Sequence, residues 1–123
     1  MHEFSTAQQL VKAVLDVAQS HKAKKVIQVD VEIGGLTHLS KDQLLFSFSI
    51  LKKNTIMDKA HIRITYLPVI LRCKKCRFEK KVKVEASEIY GAVVDFNCGS
   101  CGNNEAEIDG DTSCIVKSIK VKA

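Results

Sequence analysis

Apolar and polar positions alternate with two different periods along the first half of the chain. Over residues 5–20, Ala7, Leu10, Val11, Val14 and Ala18 recur on one face of a 3.6-residue repeat, which predicts an amphipathic helix. Ser5 and Gln8 have the spacing of a capping box at its start. Over residues 26–33 the period changes to two. Val29, Val31 and Ile33 alternate with Gln28, Asp30 and Glu32, the pattern of a half-buried strand that Gly34-Gly35 ends. A second helix is predicted over 41–53, with Ser40 and Gln43 in capping-box spacing and an apolar stripe of Leu44, Leu45, Phe48 and Leu51. A second strand follows over 61–67, with Ile62, Ile64 and Tyr66 on one face, and Pro68 is expected to end it.

From Arg72 to about Asp109 apolar residues are sparse, and only short alternations occur, at 80–85 and 93–96. Gly110 then leads to a last strand over 113–121, carrying Ile115, Ile119 and Val121. The order predicts an α+β fold: two helices packed on a three-stranded sheet, with a small segment inserted before the final strand. The expected division is residues 1–71 plus 110–123 as one domain and 72–109 as the other.

The inserted segment has its own chemistry. Cys73-Lys-Lys-Cys76 and Cys98-Gly-Ser-Cys101 form two Cys-x-x-Cys pairs with twenty-one residues between them. Each pair places two thiolates on one tight turn, and two facing turns make a tetrahedral cage of sulfur that suits Zn(II). So short a segment cannot bury enough surface to fold alone, and a metal would supply the missing stability. The segment therefore reads as a zinc ribbon with a closed, structural site at Cys73, Cys76, Cys98 and Cys101. Gly102 is expected to let backbone N–H groups approach the thiolates. A rubredoxin-like iron site would use the same ligands. Two disulfides are the weaker alternative, because the chain has no charged-then-apolar leader and a reducing compartment is expected. The fifth cysteine, Cys114, stands in an apolar run and reads as a small buried hydrophobe.

Composition narrows the classes further. The chain has 123 residues, of which 46% are apolar, enough for one compact domain or two very small ones. No run approaches the roughly 20 apolar residues of a membrane span. The net charge is +5, and Arg72, Lys74, Lys75, Arg77, Lys80, Lys81 and Lys83 crowd around the first cysteine pair. Two explanations compete. These cations would offset the net −2 of a zinc ion with four thiolates, or they would form a nucleic-acid footprint. The first is favoured because few aromatic residues accompany them. Paired carboxylates in a supporting arrangement, a nucleophile motif and a phosphate loop are all absent, so an enzyme is not expected.

The chain begins Met1-His2-Glu3, with a helix predicted almost at once. Because His2 is not small, Met1 and its free amine should be retained. The Met1 amine, the His2 backbone nitrogen and the His2 imidazole can close fused rings about one metal. Such planar nitrogen donation suits Ni(II) or Cu(II). The Glu3 backbone nitrogen would complete the square, or the Glu3 side chain would orient the imidazole. His21, His38 and His61 offer no comparable cluster and read as surface residues.

Taken in order, Met1-His2-Glu3, Val29-Asp30-Val31-Glu32-Ile33-Gly34, Leu44-Leu45-Phe46-Ser47-Phe48, the two Cys-x-x-Cys pairs and Val116-Lys117-Ser118-Ile119 resemble the HypA family of hydrogenase-maturation nickel chaperones. The resemblance covers essentially the whole chain. It implies nickel held at the amino terminus, with His2 as the essential ligand and Met1 and Glu3 beside it. It implies zinc at Cys73, Cys76, Cys98 and Cys101. It further implies a cytoplasmic, non-enzymatic carrier that delivers nickel to the large subunit of [NiFe]-hydrogenase. Such a carrier works with a GTPase of the same pathway and, in some members, with the urease accessory proteins. The competing class is a nucleic-acid-binding zinc ribbon that would use the basic run with Phe78 and Tyr90 as stacking surfaces.

Overall fold

A computed structural model describes residues 2–37, 39–82 and 96–123, with His2 given by its backbone alone. Met1, His38, Lys83 and Tyr90, and most of the short alternations predicted at 80–85 and 93–96, lie outside the described residues. The chain divides into two compact units. The first comprises residues 1–32, 39–65 and 114–123; the second comprises 33–38 and 66–113.

The first unit holds helix α1 (His2–Ser20), strand β1 (Lys25–Ile33), helix α2 (Lys41–Leu51), strand β2 (His61–Tyr66) and, after the second unit, strand β6 (Cys114–Lys122). The strands form one sheet in the order β2-β1-β6. Val29 and Val31 of β1 are buried, as their alternation predicts, together with Ala7, Leu10, Val11, Val14 and Ala18 of α1 and Leu44 and Phe48 of α2. The two apolar helix stripes and the inner face of the sheet therefore share one core, the arrangement that removes most apolar area from water.

Three details differ from the sequence expectation. Helix α1 begins at His2 and places Ser5 inside its first turn, so Ser5 is not the cap. An acidic residue in that turn, Glu3, complements the positive end of the helix. Helix α2 starts as predicted, with the Ser40 hydroxyl accepting from the Gln43 N–H at 3.3 Å, but it ends at Leu51, where Lys52 is the cap. On β6, Ile115 is 47% exposed, and Cys114 is half-buried.

The second unit contains strands β3 (Val69–Cys73), β4 (Glu79–Val82) and β5 (Ala106–Asp109), in the antiparallel order β4-β3-β5. The central strand β3 is not among the strands predicted from sequence. Its alternation was nonetheless present: Val69, Leu71 and Cys73 are buried and pack with Phe96 and Cys98, flanked by Leu36, Val82 and Ala106. As expected, β2 ends just before Pro68, at Tyr66, and β3 begins directly after the proline, at Val69. Gly34 and Gly35 do more than stop β1. A Cβ on Gly34 would collide with the backbone carbonyl of Asp111, and one on Gly35 would meet the Val69 side chain and the Leu67 carbonyl.

Candidate metal centres

Strand β3 delivers Cys73 as its last residue, and a tight turn over 74–76 brings Cys76 back beside it. The second cysteine pair is built in the same way. The Cys73 N–H donates to the Phe78 carbonyl (2.8 Å), and the Cys98 N–H donates to the Asn103 carbonyl (2.9 Å), each five residues on. The Arg77 N–H donates to Cys73 O and the Gly102 N–H to Cys98 O, both at 3.0 Å. The residue after each second cysteine turns the chain through a left-handed conformation, with φ 67° at Arg77 and 78° at Gly102. Glycine adopts this conformation without steric cost, whereas a residue with a Cβ is strained by about 1 kcal/mol. Gly102 therefore has a conformational role. Its N–H goes to a carbonyl, and the donors to sulfur come from its neighbours.

Those donors are specific. The Cys76 N–H points at the Cys73 sulfur (3.5 Å), and the N–H groups of Ser100 and Cys101 point at the Cys98 sulfur (both 3.4 Å). The Asn103 carboxamide adds a side-chain N–H to the Cys73 sulfur (3.6 Å) while also donating to the Glu105 carbonyl (3.2 Å). Asn103 was not singled out from sequence, since nothing in its neighbourhood there distinguishes it from a loop residue. N–H donation favours thiolate over thiol. Cys73 is accordingly drawn down to about 6, chiefly by the Cys76 N–H, with help from Lys75 N–H, Asn103 and Cys101 against the opposing effect of burial. Cys98 is lowered by the N–H of Cys101 and then that of Ser100. Cys101 moves the other way. The Asn103 N–H lowers it, but burial and the sulfurs of Cys76, Cys73 and Cys98 together raise it to about 11. Four sulfurs this close cannot all hold negative charge without a cation among them.

The separations suit such a cation. Cys73 Sγ lies 3.6 Å from Cys101 Sγ, and Cys76 Sγ lies 3.5 Å from Cys98 Sγ; all four sulfurs fall within 4.8 Å of one another. A disulfide would need about 2 Å. Zinc–sulfur bonds of about 2.3 Å in a tetrahedron give edges of roughly 3.8 Å, within a few tenths of the two shortest separations. All four cysteines are free thiols, and the cluster's donor set fits zinc.

Several basic residues around the first pair have carboxylate partners, which neither sequence explanation included. Arg72 lies directly across β3 from Glu79 on β4 and from Glu107 on β5. Its guanidinium contacts Glu79 (2.7 Å), Asp109 (3.6 Å) and Glu107 (3.9 Å). Arg77 pairs with Glu107, and Lys74 with Glu105. These cations stitch the strands of the second sheet together. Lys75, Lys80 and Lys81 have no ion pair among the described residues. Phe78 is exposed.

At the amino terminus the backbone is helical from His2. His2 and Glu3 stand in the first turn, where backbone N–H groups have no acceptor within the helix itself. The Glu3 carboxylate reaches thirty-seven residues along the chain and accepts the Ser40 N–H at 3.0 Å. It thereby satisfies a donor at the start of α2, and both helices begin at one place in the first unit. His21 and His61 are exposed.

The family model described as hydrogenase/urease nickel incorporation, metallochaperone, HypA matches residues 1–121. The chain belongs to the HypA family. A HypA hydrogenase maturation factor of Methanobrevibacter smithii is 37% identical over 122 residues, covering 99% of this chain and 96% of that protein. A HypA hydrogenase maturation factor of Methanothermobacter thermautotrophicus is 34% identical over 122 residues, covering 99% and 98%. The solution structure of the Ni metallochaperone HypA from Helicobacter pylori has the same fold. Its TM-score is 0.62 at 20% identity, with 98% of this chain and 97% of that one aligned. Within the HypA fold, the four-cysteine cluster lies in the second unit and the Met1-His2-Glu3 terminus in the first. Among the described residues no helix is long and apolar enough to cross a membrane.

Proposed function

We propose that this HypA chain carries Ni(II) at its amino terminus and releases it to [NiFe]-hydrogenase during maturation, while a resident Zn(II) holds the ribbon. The nickel ligands are the Met1 amine, the His2 amide and imidazole, and the Glu3 backbone nitrogen. The observation that carries this assignment is the engagement of the Glu3 carboxylate by Ser40 N–H. With its side chain bonded to the start of α2, Glu3 contributes to the metal through its backbone nitrogen, which lies in the first turn of α1. This bond ties Glu3, next to the proposed ligands, to the start of α2.

Zinc is held by Cys73, Cys76, Cys98 and Cys101. When bound it supplies the central positive charge that the clustered sulfurs require. With four sulfur ligands it leaves no open position for catalysis, and the chain acts as a carrier and not as an enzyme. A carrier must bind selectively and still let go. A site at the end of the chain selects by planar nitrogen donation and leaves a short path to an acceptor. Amine, amide and imidazole must all shed protons to bind, so falling pH promotes release. The acceptor is the hydrogenase large subunit, reached with a GTPase partner in the cytoplasm; service to urease accessory proteins is a variant of the same chemistry. The nucleic-acid alternative is disfavoured by the pairing of Arg72, Arg77 and Lys74 with carboxylates.

The deciding experiment is a calorimetric nickel titration of untagged, zinc-loaded protein beside His2→Ala. One nickel per chain, lost in the variant with zinc content unchanged, is expected. Equal nickel binding by both proteins, or by neither, would remove the amino-terminal site.

A further inference from the structure

The first unit contains a cleft that neither metal site uses. It lies where the start of β1 meets the turns after α2 and has a volume of about 470 Å³. Lys24, Lys25 and Lys59 line it, with Asn54, Thr55 and Asp58 completing its polar wall.

Its walls are fixed by bonds of their own. Val26 N–H donates to Ile56 O at 2.9 Å, tying the strand to the turn. Thr55 Oγ1 donates to Lys52 O (2.7 Å) and accepts from Met57 N–H (3.0 Å), and Lys52 Nζ closes the turn onto Ala60 O (2.9 Å). Val26, Met57 and Ala60 anchor this frame in the core. A ligand would therefore meet a formed cleft and would not need to order a loop, which lowers the cost of binding.

The charges are unbalanced. Three ammonium groups and the one carboxylate of Asp58 leave a net +2 along the lining. None of Lys24, Lys25 and Lys59 has a side-chain partner among the described residues, and Asp58 does not pair with them although it lines the same cleft. By contrast Arg63, Arg72, Lys74, Arg77 and Lys117 are each ion-paired. The kind of cation matters as well. The arginine fork matches carboxylates and phosphates alike, and no arginine lines this cleft, so its lysines alone set the charge a ligand meets. Lysine ammonium groups are compact point charges and suit phosphate oxygens. The volume is that of a small-molecule site and exceeds what one phosphate would fill.

We propose that this cleft binds a polyphosphate anion, with Lys24, Lys25 and Lys59 gripping linked phosphoryl groups. The anion is either free or the tail of a nucleotide.

The test is calorimetric titration of zinc-loaded, nickel-free full-length chain with inorganic tripolyphosphate, orthophosphate and a nucleoside triphosphate, with zinc content followed throughout. Lys24→Ala/Lys59→Ala is compared with Lys80→Ala/Lys81→Ala, which removes the same charge from the second unit. One tripolyphosphate per chain, weakened at least about tenfold in the cleft variant and nearly unchanged in the control, is expected. Tighter binding of the nucleoside triphosphate would identify a nucleotide as the ligand, and equal binding would identify the phosphate tail alone. Equal weakening in both variants would mean diffuse attraction to a basic chain and would overturn the site, as would no binding or binding of orthophosphate alone. Amide shifts at Thr55 and Ile56 on titration give a second readout that does not depend on how the variants fold.

Discussion

Removing the Glu3 carboxylate should loosen the joint start of the two helices before it touches any metal chemistry. The perturbation is Glu3→Ala in zinc-loaded, nickel-free protein. The bond lost is a charge-assisted one, from Ser40 N–H to Glu3 Oε2 at 3.0 Å, and it is partly buried. Hydrogen bonds to charged groups contribute about 1.5–3 kcal/mol. Partial solvent access to the freed Ser40 N–H places the expected loss at the lower end, about 1–2 kcal/mol. That corresponds to roughly a 5–30-fold change in the folding equilibrium. Glu3→Gln retains a neutral acceptor and should lose about half as much. The assay is urea unfolding followed by the helical circular-dichroism signal. Ser40→Pro supplies the control, because it deletes the N–H at a position whose φ of −84° proline tolerates. In that background Glu3→Ala should cost less than in the wild-type background, by the share that the Ser40 bond carries. An equal cost in both backgrounds, or a cost near zero in the wild-type background, would refute the assigned contact. A nickel titration of Glu3→Gln separates the two roles of this residue: one nickel per chain should remain if the metal uses the backbone nitrogen.

Other expectations follow from features elsewhere in the chain. Cys76→Ser should lose zinc and raise the protease sensitivity of residues 66–113 while the helical signal persists, since α1 and α2 both lie in the first unit; loss of that signal together with the zinc would contradict it. In zinc-stripped protein the first thiolate should persist well below the ordinary cysteine value of 9.0 and protonate only as pH falls through about 6, read by ultraviolet thiolate absorbance. Because the folded value is depressed, the stabilisation from Cys73 is present above the ordinary value and is lost as pH falls through that lower range; a first midpoint near 9 would show that the N–H donors are not acting. Phe48→Ala, at a site only 1% exposed, should cost about 3–5 kcal/mol in urea unfolding. Gly34→Ala should cost about 2 kcal/mol or more, because its Cβ meets the Asp111 carbonyl, part of the backbone and unable to swing aside; a neutral outcome in thermal unfolding would exclude that close approach.

The first unit was largely legible in the sequence because its elements obey single periods. Val29, Val31 and Ile33 announced β1, and Ser40 with Leu44 and Phe48 announced α2 and its start. The second unit was less so. Strand β3 is short and follows a proline, and its alternation ends on a cysteine whose hydrophobic burial is masked by its role as a metal-ligand candidate. The cysteine spacing indicated that two turns would face each other, but not which groups would donate to sulfur. Asn103 acts across thirty positions on Cys73, and no local pattern encodes such a contact. The same limit applies to Glu3 and Ser40, and to Arg72, whose partners Glu79, Glu107 and Asp109 become neighbours only once the strands are in register. The cluster of cations was visible from composition, but the pairing of Arg72, Lys74 and Arg77 with carboxylates was not.

The sheet order β2-β1-β6 also has a consequence for the sequence of events during synthesis. Met1-His2-Glu3 and α1 are made before every strand of the sheet. The strand that lies beside β1, and that also packs with α1, is β6, made after every other element. Between them the chain passes into the second unit at residue 33, returns at 39, leaves again at 66 and comes back at 114. Neither unit is therefore a continuous stretch, and the first cannot finish folding until the whole of the second has been made. The terminal amine and imidazole emerge early, but the sheet beneath their helix is complete only when residues 114–122 arrive. The first unit is finished by a late and non-local closure, the pairing of residues 114–122 with a strand made about eighty residues earlier.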